Sequence, residues 1–213
     1  MEFSADGTHQ LLRTQVYEYL RNELTEGALE PGMFISMGQL MKRLGMSRTP
    51  LRDALLQLQF EGFVTFLPQR GIRINQLTKK DIEDIYEMIG GLESRALLSV
   101  FPRIGTAEIQ RMKDINRAMY AQLTSKSITK YWQFNTDFHH VYLDLSTNAV
   151  LVRHLNTLRR RLLEFGKREW NPQMRENNYE EHLTLVALIE KGNAVEAADY
   201  IRDVHLVINF ELF

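Results

Sequence analysis

The spacing of apolar residues changes character repeatedly before residue 75, and that order of changes narrows the fold more than any count does. From about His9 to Glu26, Leu12, Val16, Tyr19, Leu20 and Leu24 recur at three- and four-residue steps, the mark of one buried helical face. Gly27 and then Pro31-Gly32 stop that helix. Ser36-x-x-Gln39 has the form of a capping box, in which each side chain satisfies the other's free backbone amide, so a short helix starts there and Gly45 closes it. A third helix begins at Ser47, a good N-cap, with Pro50 tolerated because first-turn amides have no intrahelical partner. After Glu61-Gly62 the pattern turns β-rich: Phe63 to Leu67 and Ile72-Arg73-Ile74 flank Pro68-Gln69-Arg70-Gly71, which predicts a hairpin.

Asn75 to Leu77 forms a junction, and Thr78-x-x-Asp81 is a second capping box. Beyond it only helical periodicity remains, over about 79–100, 106–124, 128–145, 148–168, 173–190 and 194–211. The chain is therefore read as mainly α: residues 1–76 a winged helix-turn-helix with a small β-hairpin, residues 77–213 an all-α antiparallel helical bundle. Its 213 residues suit two domains. The absence of cysteine excludes a disulfide framework and any thiolate metal site, so a metal would need nitrogen and oxygen ligands. No secretory leader pattern and no stretch of about 18 apolar residues occurs, which predicts a soluble, cytoplasmic chain with no membrane partner.

A net charge of −1 argues against a non-specific nucleic-acid coat. Locally the balance differs: Lys42, Arg43, Arg48, Arg52, Arg70 and Arg73 face only Asp53 and Glu61 as acids between residues 42 and 73. In the third helix Leu51, Ala54, Leu55 and Leu58 form the buried stripe, which leaves Arg48, Thr49 and Arg52 off it near the helix start. The Ser47 end offers free amides and a positive dipole end to a phosphate. Guanidinium forks suit guanine edges and phosphates, so Arg48 and Arg52 are candidate readers of double-stranded DNA, with Arg70 and Gly71 at the hairpin tip near the minor groove. The competing reading is a helical subdomain whose arginines only solvate a face.

The run Gly45-Met-Ser-Arg-Thr-Pro-Leu-Arg-Asp-Ala-Leu55, followed by Leu58, Glu61-Gly62 and Arg70-Gly71, closely resembles the GntR family signature. The resemblance implies a homodimeric transcription regulator, read as a repressor, whose winged domain grips a palindromic operator while the second domain senses a small metabolite. Carried over by position, Ser47, Arg48, Thr49, Arg52 and Gly71 match DNA-contacting positions. Gly38 departs from members that place a basic residue there.

Six histidines occur. On the helix around 128–145, Tyr131, Trp132, Phe138, Tyr142 and Leu145 define an apolar face that contains Asn135 and His139, whereas His140 aligns with Thr136 and Asp144 and is read as solvated. His182 lies on the stripe of Leu185, Val186 and Ile189, and His205 on that of Ala194, Ala198, Ile201, Val204 and Ile208. Three helices thus aim an imidazole at one interior, either as hydrogen-bonded core residues or as ligands of zinc, nickel or, less suitably, manganese. Phe138-His139, Asn148, Glu181-His182 and His205 resemble the FCD effector domain of the FadR branch of the same family. In its metal-binding members an Asp or Asn four residues before the first histidine completes the ligand set, which here is Asn135, not Asp137. Many members also carry an arginine where this chain has Ile89, three residues before Leu92-Glu93, to hold the effector's carboxylate. Arg159 is the substitute considered for an acidic effector.

A metal-dependent hydrolase is the principal rival, because three histidines with an open coordination place also begin hydrolytic sites. No His-Glu-x-x-His pattern supplies its general base, and Glu181 points about 100° away from His182 on a helix. A metal-free helical interaction module is the third class. The chain is read as no enzyme.

Overall fold

One side of the first helix, α1 (His9–Glu26), buries Val16, Leu20 and Leu24 as their spacing predicts. Tyr17 joins them while Tyr19 stays half-buried, the reverse of the expected stripe; the Tyr17 hydroxyl reaches the Glu61 carboxylate, so the ring lies inside with its polar end satisfied. The computed structural model describes residues 9–68, 70–123, 128–166 and 171–208, and the side chain of Leu12 lies outside the described residues. The chain divides into two compact units between Leu77 and Thr78.

In the first unit a two-residue strand, β1 (Phe34–Ile35), precedes α2 (Met37–Leu44). The Ser36 hydroxyl accepts from the Gln39 amide at 3.1 Å, and the Gln39 side chain accepts from the Ser36 amide at 2.9 Å. Such a cap is worth about 1 kcal/mol, which matters for a helix of two turns. Helix α3 (Arg48–Phe60) follows an extended Ser47, whose side chain makes no capping hydrogen bond, contrary to its expected role. Leu51, Ala54, Leu55 and Leu58 are fully buried and pack α3 against α1. Truncating one of these leucines would cost about 2–5 kcal/mol.

Strands β2 (Val64–Leu67) and β3 (Gly71–Ile74) form the expected hairpin, but β1 adds to its other edge, giving an antiparallel sheet in the order β1-β3-β2. Phe34 pairs with Arg73 and Ile35 with Ile72. Two residues carry no period-2 signal, so β1 was not legible. Its pairing explains Gly71: at φ +101° a Cβ there would lie 2.4 Å from the Ile35 carbonyl oxygen.

The second unit is helical: α4 (Lys79–Val100), a 3₁₀ turn at Phe101–Arg103, α5 (Thr106–Tyr120), α6 (Ile128–Leu143), α7 (Ala149–Gly166), α8 (Pro172–Glu190) and α9 (Ala194–Tyr200). Thr78 and Asp81 form the expected box. Helices α5 and α6 stop short of 124 and 145 because the chain tightens there into three-residue turns, Gln122 N–H to the Met119 carbonyl at 2.9 Å and Leu145 N–H to the Tyr142 carbonyl at 3.1 Å. Residues 167 and 168, expected at the end of α7, lie outside the described residues. Helix α4 packs against α6, α7 and α9, while α5 packs against α6 and α8.

The largest departure is the last helix, expected to run to 211. It ends at Tyr200 and continues as a π-helical turn, Ile201–His205, closed by Leu206 N–H to the Ile201 carbonyl at 2.9 Å. The five-residue step rotates the face: His205 is buried with Ile201, and Val204, expected inside, is 47% exposed. Gly90 of α4 makes room for this turn, since a Cβ there would lie 3.3 Å from the Arg202 carbonyl oxygen. Among the described residues no helix is long and apolar enough to cross a membrane.

Gly71→Ala is expected to lower the stability of the winged unit by about 1–3 kcal/mol, the cost of a strained left-handed residue. Denaturant titration checks this; unchanged stability would show that the glycine has no role inside the fold.

Candidate functional site

Two sets of side chains stand out, one in each unit. In the first unit Ser47, Arg48, Thr49 and Arg52 are all exposed at the start of α3, opposite its buried stripe. Arg48 and Arg52 share a concave surface with Arg70 and Gly71 from the hairpin and Ser36 from the start of α2. The hairpin is fixed relative to α3 by polar bonds: the Gln59 side chain accepts from the Phe66 amide at 2.8 Å, and the Asn75 amide donates to the Gly62 carbonyl at 2.9 Å. Three guanidinium groups on one rigid concavity, with no acid among its described lining residues, form a surface suited to a polyanion.

In the second unit His139, His182 and His205 are buried together, with ligand nitrogens all within 4.8 Å of one another. Each ring is held through Nδ1. His139 Nδ1 donates to the fully buried Glu93 of α4, with the Tyr142 hydroxyl 2.9 Å from the same nitrogen. His182 Nδ1 donates to the Asn116 side-chain oxygen at 3.1 Å, and His205 Nδ1 to Glu181 at 2.9 Å. A neutral imidazole carries one N–H, so these three acceptors leave each Nε2 as a lone pair. His139 and His205 bring those atoms to 3.3 Å, and His182 Nε2 is buried without a hydrogen-bond partner. Two nitrogens each about 2.0–2.1 Å from one ion stand about that far apart. The residues present therefore fit a divalent cation.

Electrostatics keep His139 and His182 neutral. Burial and the nearby Arg159 push His139 down to about 3, against the opposing pull of Glu93, and burial also holds His182 well below the ordinary imidazole range. Burial works to raise the Glu93 carboxyl, but Arg159, then His139 and the Tyr142 hydroxyl, override it and hold it ionised. Tyr142 is raised well above its usual value by burial and by Glu93, so it keeps its proton and donates it to that carboxylate.

Asn135 lies on the wall of a cavity of about 60 Å³ that His139, His205 and Arg159 also line. Its side-chain oxygen accepts from Asn178 at 2.9 Å, and an amide oxygen has a second lone pair to offer. Arg159 donates to Glu93 through a terminal nitrogen, while its buried Nε has no hydrogen-bond partner. Asp137 is taken up by Gln133 at 2.9 Å. His140, read as solvated, is half-buried, because Asp144 at 2.8 Å and Asn156 at 3.1 Å engage its two nitrogens.

Glu93, Asn116 and Glu181 were not singled out as anchors of the imidazoles. Glu93 left a signal: it continues the buried α4 stripe of Ile82, Ile85 and Ile89 at a four-residue step, where an acid needs a partner.

In chelated protein, stability is expected to fall as pH drops from about 6.5 towards about 3, since the unfolded imidazole takes its proton before buried His139 does. His139→Gln should flatten that slope in pH-dependent denaturation; equal slopes would contradict the burial of a neutral ring.

Residues 84–206 match the family described as FCD domain, and residues 12–74 the one described as bacterial regulatory proteins, gntR family. A transcriptional regulator of Agrobacterium vitis from the TAR-I ttuE-ttuC' intergenic region is 32% identical over 126 residues, 58% of this chain and 74% of that protein. The transcriptional regulator YdhC of Bacillus subtilis is 30% identical over 148 residues, 68% of this chain and 66% of its own. Among solved structures, E. coli McbR/YncC superposes with a TM-score of 0.71 at 21% identity, covering 91% of this chain and 93% of that one. The matched families and relatives are transcription regulators, not enzymes.

Proposed function

We propose, from the premise that this chain is a transcriptional regulator belonging to the GntR family with an FCD domain, that it is a metal-dependent sensor of a small carboxylate effector. It acts as a homodimer in the cytoplasm, as a repressor on a palindromic operator. The observation that carries the sensing half is the buried, unpartnered Nε2 of His182 beside the facing Nε2 atoms of His139 and His205. Lone pairs buried against one another are costly, and a cation relieves all three at once.

His139, His182 and His205 hold the ion, with Asn135 as the oxygen ligand. Imidazole nitrogens suit zinc or nickel, and manganese less well. The bound ion supplies a Lewis-acid seat for a carboxylate. Arg159, in the same cavity with its Nε unengaged, orients the acid. Glu93 keeps the Arg159 side chain and the His139 ring in fixed relation, so filling the cavity bears on α4, α6 and α7 together.

In the DNA-binding half, Arg48 and Arg52 read base edges or phosphates, with Ser47, Thr49, Arg70 and Gly71 seating the backbone. Effector binding favours one arrangement of the helical unit, and that arrangement sets the spacing of the two winged units on their half-sites.

Arg52→Ala is expected to weaken operator binding by about 1–3 kcal/mol in a titrated mobility-shift assay. An unchanged affinity would remove Arg52 from the interface. The double variant His139→Ala, His205→Ala should lose stoichiometric metal by elemental analysis while keeping DNA binding; full metal content would refute the ligand set.

A further inference from the structure

The cavity beside the histidines is divided in character. His139, His205 and Arg159 supply its basic groups, Tyr86, Thr136 and two asparagines add polar atoms, and the rest of the wall is mainly hydrocarbon and indole from Ile82, Ile89, Trp132, Leu162 and Leu206. Among the described lining residues Arg159 is the one permanent cation, and the buried Glu93 carboxylate already takes one of its terminal nitrogens and balances its charge. The amide groups are mostly committed to each other: Asn178 spends its N–H groups on the Tyr131 hydroxyl at 3.0 Å and the Asn135 oxygen at 2.9 Å.

We infer that this chain's effector is a monocarboxylate with an apolar body, and that the cavity selects against dicarboxylates and polyhydroxy acids. This rests on the reading that the histidine centre holds a metal and seats an acid. One carboxylate can be met by the ion and by Arg159 Nε. A second, carried on the same short skeleton, would meet no further cation among the described lining residues, which strongly disfavours binding. The few polar groups of the lining, Tyr86, Thr136 and the asparagines, cannot replace all the water that the hydroxyls of a polyhydroxy acid would lose. Ile89 is the determinant: it is buried on α4 in the cavity wall, one turn before Glu93, where a basic side chain would supply a second counter-charge.

Size agrees with a short tail. A cavity of about 60 Å³ holds about four to six ordered waters at roughly 10–15 Å³ each. Methylenes are of about water size, so the cavity suits a tail of a few carbons behind the carboxylate.

The test uses the full chain loaded with zinc, titrated calorimetrically with butyrate, hexanoate, adipate and gluconate. Hexanoate is expected to bind about fifteenfold more tightly than butyrate, since each of its two additional buried methylenes contributes about fourfold. Adipate and gluconate, matched to hexanoate in carbon number, should bind at least about tenfold more weakly. No binding of hexanoate, or adipate or gluconate binding as tightly, overturns the inference. Ile89→Arg, verified as folded by circular dichroism, should shift the preference towards adipate by about tenfold, and an unchanged preference also overturns it; should that variant not fold, the wild-type series decides. Zinc content and operator binding are measured on the same preparation. A chain that takes zinc and binds DNA but prefers adipate loses this inference alone, and one that takes no zinc loses the metal reading beneath it.

Discussion

A nitrogen lone pair buried away from water must meet a proton or a cation, and the helical unit is arranged so that three of them meet nothing else. Glu93, Asn116 and Glu181 come from α4, α5 and α8, and each claims the Nδ1 of a different imidazole. Those three acceptors decide the tautomers, and the tautomers decide that the Nε2 atoms converge. Removing the acceptors would leave ordinary core histidines, free to donate to one another. Glu93 has the widest reach, because its second oxygen holds Arg159 and thereby ties α7 to the same centre.

The winged unit obeys a different constraint. Its function as a DNA surface needs exposed guanidinium groups at fixed separations, so rigidity must come from elsewhere. It comes from the apolar contact of α1 with α3, and from side-chain amides of Gln59 and Asn75 that bond the hairpin to the end of α3. Arg48, Arg52 and Arg70, the residues proposed to meet a duplex, ride on elements whose positions are already determined, which would lower the ordering cost of that contact.

Much of this was legible in the residues. Ser36 with Gln39, Thr78 with Asp81 and the leucine stripe of α3 are local codes, in which the interacting groups lie within a few positions, and each reads correctly. That His139, His182 and His205 share one interior was legible because helical periodicity places side chains without knowledge of their neighbours. What was not legible depended on distant chain. Strand β1 exists because β3 offers an edge to Phe34 and Ile35. The π-turn that expels Val204 leaves no mark in an α-helical wheel; its room is made by Gly90, over a hundred residues earlier. Tyr17 in place of Tyr19 follows from a carboxylate at Glu61. Glu93 sat in plain view in an apolar stripe, but its partners His139, Tyr142 and Arg159 are brought to it only by tertiary packing.

Long-range proton–nitrogen NMR of the imidazoles, with and without one equivalent of zinc, reaches the central claim most directly. Metal-free His139 and His182 are expected to be neutral, all three rings are expected to carry a proton at Nδ1, and zinc is expected to move the three Nε2 resonances together. Protonation at Nε2 in any of the three, or spectra indifferent to zinc, would contradict it.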